Sequence, residues 1–345
     1  KYCSGYTTQR AVYRAWIEGR HDRYATGRSF FRGWNGYGNQ VVDSRLYSPP
    51  EPGYYRLLYP GEYKFTVVNA ANEIPCYIAP LKIYKYFSLL ARDPANDKNL
   101  GNTCNKVGNP CNPATGNKYQ SEQDYAGSVL PFTRHYNSQL HMNVGLGFGW
   151  TSNYHKRIEK YSDKTIRVRQ GDGRAEPFRS VGGVWLGDTS SAMTLQVNTD
   201  GYVVRNADGS VDVYNGKGHI LSEIDLVGRK TTYAYDGVTG LLTNVTDHFG
   251  RAVSFTYNAQ GWMESFTDPV LQRAQYEYDS IGNLASVTYP GGTVRRYHYE
   301  DTTWTHNLTG ITDENGNRFA TWSYTGNKAK TSERAGGAEK VTLTY

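Results

Sequence analysis

Seven tyrosines in the C-terminal part of this chain recur at a nearly constant interval. They are Tyr214, Tyr235, Tyr257, Tyr278, Tyr299, Tyr324 and Tyr345, with gaps of 21, 22, 21, 21, 25 and 21 residues. A period of this size is typical of a repeat architecture, in which each unit is one supersecondary element that stacks on the next. The single longer gap predicts a loop insertion around residues 301–309.

Each repeat contains the pattern of a half-buried strand. Two residues before most of the tyrosines stands another bulky apolar residue: Tyr233, Phe255, Tyr276, Tyr297, Trp322 and Leu343. The residues in between are mostly polar: Ala234, Thr256, Glu277, His298, Ser323 and Thr344. Because positions i and i+2 of a strand share a face, every unit predicts a ridge of rings on one side and a polar surface on the other.

Glycines predict turns on both sides of this strand. Gly228, Gly250, Gly292, Gly316 and Gly337 precede a tyrosine by seven or eight residues, and Gly218, Gly240, Gly261 and Gly282 follow one by four or five. Glycine adopts the positive φ that many turns require without steric cost. The unit is therefore predicted to be turn, strand, turn, strand, and the aspartates Asp200, Asp208, Asp236 and Asp279 are assigned ordinary turn roles.

Two blocks of the sequence resemble the rearrangement-hotspot (Rhs) family. Tyr235-Asp236 and Tyr278-Asp279, each followed by Gly and Leu at the period given above, resemble its YD repeats. The upstream stretches at residues 108–125, 130–138 and 145–154 are similar to the segment that opens the repeat region in this family. Together the resemblances cover residues 105–345. Asp268-Pro269 is followed by Val270 and not by the family's cleavage motif, so it is predicted to be a turn and self-cleavage is not assigned.

The repeat and the resemblance predict a mainly β protein. Its main feature is a curved or spiralling antiparallel β-sheet built from YD hairpins of about 21 residues, with a small mixed α/β N-terminal region. Residues 1–103 are predicted to form that N-terminal region, 104–160 the repeat-opening segment and 161–345 the YD-repeat sheet. Because the last tyrosine of the series is also the last residue, the sheet is expected to be truncated there.

Local patterns predict several individual elements. Residues 1–25 are predicted to hold a helix, because Ala11, Val12, Ala15, Trp16 and Gly19 recur at helical spacing. Residues 63–68 predict a strand and residues 94–109 a linker. Residues 165–169, 192–197, 201–205 and 210–214 also predict strands, which we interpret as the first strands of the repeat sheet.

The net charge of +6 arises in the N-terminal third of the chain. Residues 1–100 contain 14 Lys+Arg and 8 Asp+Glu, which is 14 − 8 = +6, and the remainder contains 24 of each. Such an excess could meet nucleic acid, anionic glycan or an acidic membrane surface. The arginines are dispersed, however, so a solvated face is favoured and no nucleic-acid partner is predicted. No apolar run is long enough to predict a transmembrane segment.

The four cysteines allow a prediction about the compartment. Cys104 and Cys111 bracket a short stretch rich in Gly, Asn and Pro, so a disulfide could close a small loop there, which leaves Cys3 and Cys76 as a second bridge. An even number of cysteines fits an oxidising compartment, although four unpaired buried thiols are an open alternative. The chain begins at Lys1 with no leader ahead of it, as removal of a signal peptide would leave it. We therefore expect a secreted or cell-surface protein.

Catalytic motifs are not found in the sequence. It contains no phosphate-binding P-loop, no G-x-S-x-G elbow and no H-E-x-x-H, and its eight histidines show no metal-ligand spacing. No catalytic, cofactor-binding or metal-binding residue is therefore predicted. The resemblance implies a non-enzymatic structural scaffold of a bacterial secreted or surface protein, part of a β-shell that would enclose a passenger, often a polymorphic toxin. Its partners would be the remainder of its own chain or further copies of itself.

A second function is left open by the aromatic content. An extracellular adhesion or carbohydrate-binding module, or a filament subunit, could use exposed rings to stack on surface glycans. The densest aromatic cluster outside the repeats is formed by Phe30, Phe31, Trp34, Tyr37, Tyr54 and Tyr55.

Overall fold

The computed structural model describes residues 97–345 apart from 103–107, 129, 141, 163 and 189–190, together with the backbone of six strands between residues 11 and 83. The chain divides into two compact units, Lys1–Asp93 and Pro94–Tyr345. The boundary coincides with the start of the linker predicted for residues 94–109.

The described part of the first unit is one antiparallel sheet. Its strands are β1 (Ala11–Gly19), β2 (Ser29–Asn35), β3 (Val41–Arg45), β4 (Gly61–Val68), β5 (Pro75–Tyr77) and β6 (Leu81–Ile83). They are ordered β3-β2-β1-β4-β5, and β6 also pairs with β4. The strand predicted for residues 63–68 is confirmed within β4.

The helix predicted within residues 1–25 is wrong over residues 11–19. This stretch is β1, a central strand that pairs with β2 on one side and β4 on the other. Over only nine residues, helical apolar spacing fits a strand equally well, and Val12, Tyr13, Trp16 and Ile17 are residue types that favour strands. Cross-strand pairing then decides the outcome. The N-terminal elements that the structure describes are strands, and Asp97 is the one helical residue described before the opening sheets.

Two small antiparallel sheets open the second unit. The first consists of β7 (Tyr119–Tyr125), β8 (Phe132–Asn137) and β9 (Trp150–Ser152), and the second of β10 (Arg157–Ser162), β11 (Thr165–Arg169), β12 (Ala175–Val181) and β13 (Val184–Gly187). Residues 165–169 therefore form a strand as predicted, but its assignment to the repeat sheet is wrong. The four-stranded sheet is separate from the repeat sheet because β13 does not pair with β14, the next strand.

The remaining fifteen strands form one antiparallel sheet. They are β14 (Thr194–Asn198), β15 (Gly201–Arg205), β16 (Val211–Asn215), β17 (Ile220–Ile224), β18 (Lys230–Tyr235), β19 (Leu242–Thr246), β20 (Ala252–Tyr257), β21 (Met263–Thr267), β22 (Arg273–Tyr278), β23 (Leu284–Thr288), β24 (Val294–His298), β25 (Gly310–Thr312), β26 (Arg318–Thr325), β27 (Lys328–Arg334) and β28 (Val341–Thr342), with a single 3-10 turn at Ala335–Gly337. Each strand pairs with the next in sequence, and among the described strands β14 and β28 are not paired with each other, so the sheet is open. The predicted antiparallel sheet of hairpin repeats is confirmed.

The internal pattern of the repeat is confirmed as well. Tyr233, Phe255, Tyr276, Tyr297 and Trp322 are buried, each is followed by an exposed or half-buried residue, and the tyrosine after that is half-buried. We call these five buried residues the aromatic ridge. All nine glycines assigned to turns have positive φ, between 70 and 88°. No strand of the described chain lies between His298 and Gly310, which confirms the predicted insertion.

Three of the four aspartates assigned to turns, namely Asp208, Asp236 and Asp279, accept hydrogen bonds from backbone amides of their own turns. The Asp279 carboxylate accepts hydrogen bonds from the amides of Ile281 and Asn283, at 3.0 and 2.9 Å. Asp208 and Asp236 have the same role in their turns. Asp268 accepts from Val270 and Gln272, both at 2.9 Å, so the predicted turn at Asp268-Pro269 is confirmed.

Candidate functional site

The opening segment, defined here as residues 108–158, packs along the aromatic ridge of the repeat sheet. The ring pairs are Tyr154 with Tyr233 at 6.1 Å, Phe132 with Phe255 at 5.4 Å and Trp150 with Tyr297 at 5.2 Å between centroids. At the far end of the ridge, Lys118 Nζ lies 4.0 Å from the centroid of the Trp322 ring, and the Trp322 indole N–H donates to the Asn109 carbonyl at 2.7 Å. One continuous buried core therefore joins the opening segment to successive repeats.

An ion pair lies at the centre of this contact. Arg134 Nε is 2.5 Å from Asp124 Oδ2, Arg134 Nη2 is 2.8 Å from Asp124 Oδ1, and neither side chain is exposed to solvent. Phe132, Arg134 and Tyr136 alternate along β8, so all three take the same buried face. Asp124 is the extra residue of a β-bulge between Gln123 and Tyr125. A bulge redirects the strand locally, and here it accompanies a carboxylate that meets Arg134.

Three ridge-side tyrosines add hydrogen bonds to the pair, while the buried Arg134 Nη1 atom has no hydrogen-bond partner. The hydroxyls of Tyr276 and Tyr289 donate to the Asp124 carboxylate at 2.7 and 3.1 Å, and Arg134 Nη2 donates to the Tyr297 hydroxyl at 2.8 Å. Burial opposes the charge of Arg134, but the adjacent Asp124 carboxylate holds the guanidinium pKa well above its ordinary value. We call Asp124, Arg134, Tyr276, Tyr289 and Tyr297 the junction.

Further ion pairs lie on either side of the junction. Arg295 Nε of the repeat sheet lies 2.6 Å from Glu122 Oε2 of β7, and both side chains are largely buried. Lys156 of the opening segment is paired with both Asp212, at 3.3 Å, and Glu223. Burial raises the pKa of Asp212, although Lys156 opposes the shift. Opposite charges from the two parts of the chain thus meet at several points along the contact.

The periodic tyrosines bind the preceding repeat through their hydroxyl groups. Tyr257 donates to the Leu242 carbonyl at 2.9 Å, Tyr324 to the Leu308 carbonyl at 2.7 Å and Tyr345 to the Ala329 carbonyl at 2.9 Å, over separations of 15, 16 and 16 residues. The acceptors of Tyr257 and Tyr345 lie in the return strands β19 and β27 of the preceding hairpins, and Leu308 lies just before β25. The similar separations are consistent with the near-constant period of the tyrosines.

The other four periodic tyrosines have different partners, and for Tyr278 and Tyr299 the partner belongs to the opening segment. Tyr278 donates to the Gly145 carbonyl at 3.1 Å, and the Tyr299 hydroxyl accepts from the Trp150 indole at 2.9 Å. Tyr235 stacks on His219 at 4.7 Å between centroids, and Tyr214 donates to Asp212 at 3.3 Å. Each of the seven predicted tyrosines therefore has a hydrogen bond or a ring contact within the described fold.

A glycine-rich stretch of the opening segment lies against the repeat backbone. Gly145 accepts a hydrogen bond from the Met263 amide at 2.7 Å. Gly147 has a φ of 92°, and a Cβ atom there would lie 2.8 Å from the Leu284 amide nitrogen. Both the backbone conformation and the space therefore require glycine at this position.

The predicted disulfides stay predictions. Cys111 is buried beside Ser332 and has no disulfide among the described residues. Cys3, Cys104 and the side chain of Cys76 lie outside those residues. The N-terminal aromatic cluster is likewise untested, because Phe30, Phe31 and Trp34 belong to β2, of which only the backbone is described, and Tyr37, Tyr54 and Tyr55 lie outside the described residues.

Metal-binding clusters and membrane-spanning helices are not found in the described part of the chain. Within residues 97–345, less the gaps given above, no three His, Cys, Asp or Glu side chains are arranged to hold a metal ion. In the same part of the chain no helix combines the length and apolar character needed to cross a membrane.

The junction itself was not predicted from the sequence. Its arginine and aspartate lie within the stretches that resemble the Rhs opening segment, but no role was assigned to them. A usable signal was present: Arg134 stands between Phe132 and Tyr136 at a position with strand alternation toward the core. A charge at such a position requires a buried counter-charge.

Comparison with known families agrees with the resemblance. The family described as Domain of unknown function (DUF6531) matches residues 108–178, and the family described as RHS Repeat matches residues 238–270 and 278–318. The solved structure of TcdB2-TccC3-Cdc42 is similar over 96% of this chain at 10% sequence identity, with a TM-score of 0.28. The chain spans about a fifth of the length of that protein, because the match covers 19% of it.

Proposed function

Since RHS repeats follow a DUF6531 segment in this chain, we propose that it is a structural scaffold, part of the wall of a β-shell that encloses a passenger polypeptide. The observation that carries the proposal is the continuous buried core between the opening segment and the aromatic ridge. An open strip of hairpins has one apolar face that must be covered. Here the chain's own opening segment covers it, which makes the two parts one rigid piece.

The ion pairs of the junction support a structural role. The buried charges of Arg134 and Asp124 are matched by each other and by three hydroxyl groups, an arrangement that holds partners in place. Buried ion pairs add little net stability compared with apolar packing, but a wrong alignment would leave a charge unpaired. In this proposal they fix the register of the opening segment along the repeats, and the scaffold is non-enzymatic and secreted or displayed at the cell surface.

The covered ridge also restricts how a passenger would be held. The rings of the ridge already contact the opening segment, so a passenger would meet the other, polar face of the sheet or the outer surface of the opening segment. Thr256, Glu277 and Ser323 are exposed on that polar face. A polar lining would hold an unfolded or partly folded polypeptide without strong apolar adhesion.

The same burial weighs against the alternative of glycan adhesion through the repeats. A ring that stacks on a sugar must offer a free face, and the ridge rings contact protein. Adhesion would have to use rings outside the ridge. The shape of the native particles would distinguish a filament subunit from part of a shell.

Limited proteolysis of the full-length gene product tests the proposal. If the repeats form part of an enclosing wall, a protease will leave a protected passenger fragment that becomes sensitive once the shell is opened by denaturant. The matched control is the same passenger produced without the repeat region. Digestion of the passenger at equal rates in both forms would contradict the proposal.

A further inference from the structure

Three consecutive turns at one end of the repeat strands present exposed apolar side chains. They join β17 to β18, β19 to β20 and β21 to β22, so the antiparallel order places all three at the same end of the sheet. Their apolar residues are Leu226, Val227, Phe249, Val270 and Leu271, each at least 69% exposed. We call these five residues the tip row. Successive turns lie two strands apart, or about 10 Å, so the row is roughly 20 Å long.

The tip row is not a general property of the repeat. The preceding turn of the same kind carries Ala207, Asp208 and Gly209, and the following one carries Pro290, Gly291 and Gly292. Both are polar or small, whereas the three turns between them are apolar. The hairpin geometry therefore does not require these side chains.

Leu271 gives independent support, because it occupies a position that glycine occupies in the two neighbouring turns. Gly228 and Gly250 take a φ of 82° there, and Leu271 takes a φ of 67°, which is unfavourable for a residue with a side chain. Leu271 is nevertheless 83% exposed and gains little burial within the fold. Strained backbone at an exposed position points to a role outside the fold.

The charges beside the tips are asymmetric. The Arg251 side chain is 46% exposed while its partner Asp247 is fully buried, and Arg229 is 60% exposed against 36% for Asp225. In the third turn Arg273 is exposed and Asp268 is buried. The aspartates accept hydrogen bonds from backbone amides of their turns, and Asp225 and Asp247 are paired with Arg229 and Arg251. The charges of these pairs cancel, but the arginines are the more exposed partners beside the apolar row.

We infer that the tip row is a peripheral membrane-binding surface, which inserts its apolar side chains at the headgroup boundary of an anionic lipid bilayer. A protruding row of apolar tips fits a deformable interface, whereas a protein partner would need a matching groove. The neighbouring arginines would lie at the level of the anionic headgroups. The Arg251 guanidinium already lies 5.1 Å from the Phe249 ring centroid, which brings the apolar and cationic groups together at one tip. This surface goes beyond the scaffold role.

Co-sedimentation of this chain with lipid vesicles tests the inference. We expect binding to vesicles of phosphatidylcholine and phosphatidylserine in equal parts, weak binding to phosphatidylcholine alone, and a decrease as salt is added. Phe249→Ser combined with Leu271→Gly should lower the partition coefficient by about tenfold or more. Arg229→Gln and Arg251→Gln should each lower it about fivefold.

Two variants separate membrane binding from effects on folding. Val238→Ser is the matched control, because Val238 is 89% exposed in a turn at the opposite end of the strands and should leave binding unchanged. Leu271→Gly alone should raise the thermal unfolding temperature, since it relieves the positive φ, and should still weaken vesicle binding.

Three results would overturn the inference. The first is that the Phe249→Ser, Leu271→Gly variant binds vesicles as well as the native chain does. The second is vesicle binding that does not depend on phosphatidylserine. The third is a native chain that does not bind vesicles but self-associates, with the self-association lost in this variant. The last result would identify the tip row as a contact between copies of the chain.

Discussion

The guanidinium of Arg134 and the carboxylate of Asp124, ten residues apart in sequence, form a two-point ion pair with no solvent exposure of either side chain. The pair joins neighbouring strands of the opening segment and also faces the repeats, because Tyr276 and Tyr297 bind its two halves. One pair of charges therefore holds together residues separated by more than 160 positions of the chain, as Arg134 and Tyr297 are 163 residues apart.

Removal of one charge from this pair should be strongly destabilising. Arg134→Leu leaves the Asp124 carboxylate buried without a counter-charge, so we expect the free energy of unfolding to fall by about 3–5 kcal/mol. Urea unfolding followed by circular dichroism measures the change.

The control for this prediction is an exposed ion pair at the end of β27 in the repeat sheet. Arg334 and Glu339 are 52% and 66% exposed at 2.8 Å, so Arg334→Leu should cost less than about 1 kcal/mol. The double variant Arg134→Leu, Asp124→Leu should recover part of the stability lost in the single one. Equal effects of Arg134→Leu and Arg334→Leu would show that burial of the pair is unimportant.

Gly147→Ala should loosen the contact between the opening segment and the repeats. The new Cβ would meet the Leu284 amide, and the positive φ adds strain, so a loss of about 2–5 kcal/mol is expected. Gly228→Ala has a similar φ of 82° but open space around the new Cβ, so it should cost only about 1–2 kcal/mol. Thermal unfolding measures the loss of stability in both variants. If Gly228→Ala lost as much stability as Gly147→Ala, close packing at Leu284 would not be the cause.

The periodic hydroxyl bonds should contribute measurably where they are buried. Tyr257→Phe removes the bond to the Leu242 carbonyl and should lower the free energy of unfolding by about 0.5–1.5 kcal/mol. Tyr345→Phe removes the equivalent bond to Ala329, but Tyr345 is 47% exposed and water can replace its hydroxyl, so the change should be near zero. Each variant differs from the native chain by one oxygen atom. Chemical denaturation of both variants would show whether burial determines how much the hydroxyl bond contributes to the free energy of unfolding.

Stability should fall as the pH is lowered below the ordinary histidine range. Burial lowers the pKa of His155 to about 3, and burial together with Arg134 lowers that of His135 to about 4 against the opposing pull of Asp172. The unfolded chain takes up protons near its ordinary pKa of 6.5 while the folded chain does not. Stability is therefore retained above that pH and lost as the pH falls toward about 4, by up to about 1.4 kcal/mol per pH unit from each histidine.

Substitution of these two histidines tests the origin of the pH effect. A His135→Gln, His155→Gln variant keeps polar side chains at both positions and removes the titration. Its free energy of unfolding should change little between about pH 6.5 and pH 5, the range in which the unfolded histidines take up most of their protons. An unchanged slope in the variant would assign the effect to other groups.

The cysteine prediction can be tested on protein from its native source. If the compartment is oxidising, non-reducing peptide mapping should find Cys104 linked to Cys111 and Cys3 linked to Cys76. Alkylation of all four thiols without prior reduction would contradict both the pairing and the secreted location.

The repeat sheet could be predicted because its information is local. Tyr276, Glu277 and Tyr278 show the two-residue alternation of a strand, and Gly282 supplies the positive φ of the following turn. Such patterns fix strands and turns without reference to the rest of the chain. The N-terminal helix prediction failed because the nine residues around Trp16 fit both periods, and the pairing with β2 and with the more distant β4 that makes them a strand is not visible in their own pattern.

The partner of the aromatic ridge could not be predicted in this way. Alternation shows that Tyr297 faces a core, but it does not show that Arg134 and Trp150 fill that core. The bulge that accompanies the contact of Asp124 with Arg134 has no distinct local pattern, since it is a register shift between two strands. Long-range pairing of this kind depends on the fold as a whole.

Electron cryo-microscopy of the full-length gene product tests the scaffold proposal most directly. We expect closed hollow particles whose wall contains the fifteen-stranded strip with the opening segment packed on its aromatic ridge, and polypeptide density inside. Particles without a lumen, or helical filaments built from copies of the strip, would contradict it.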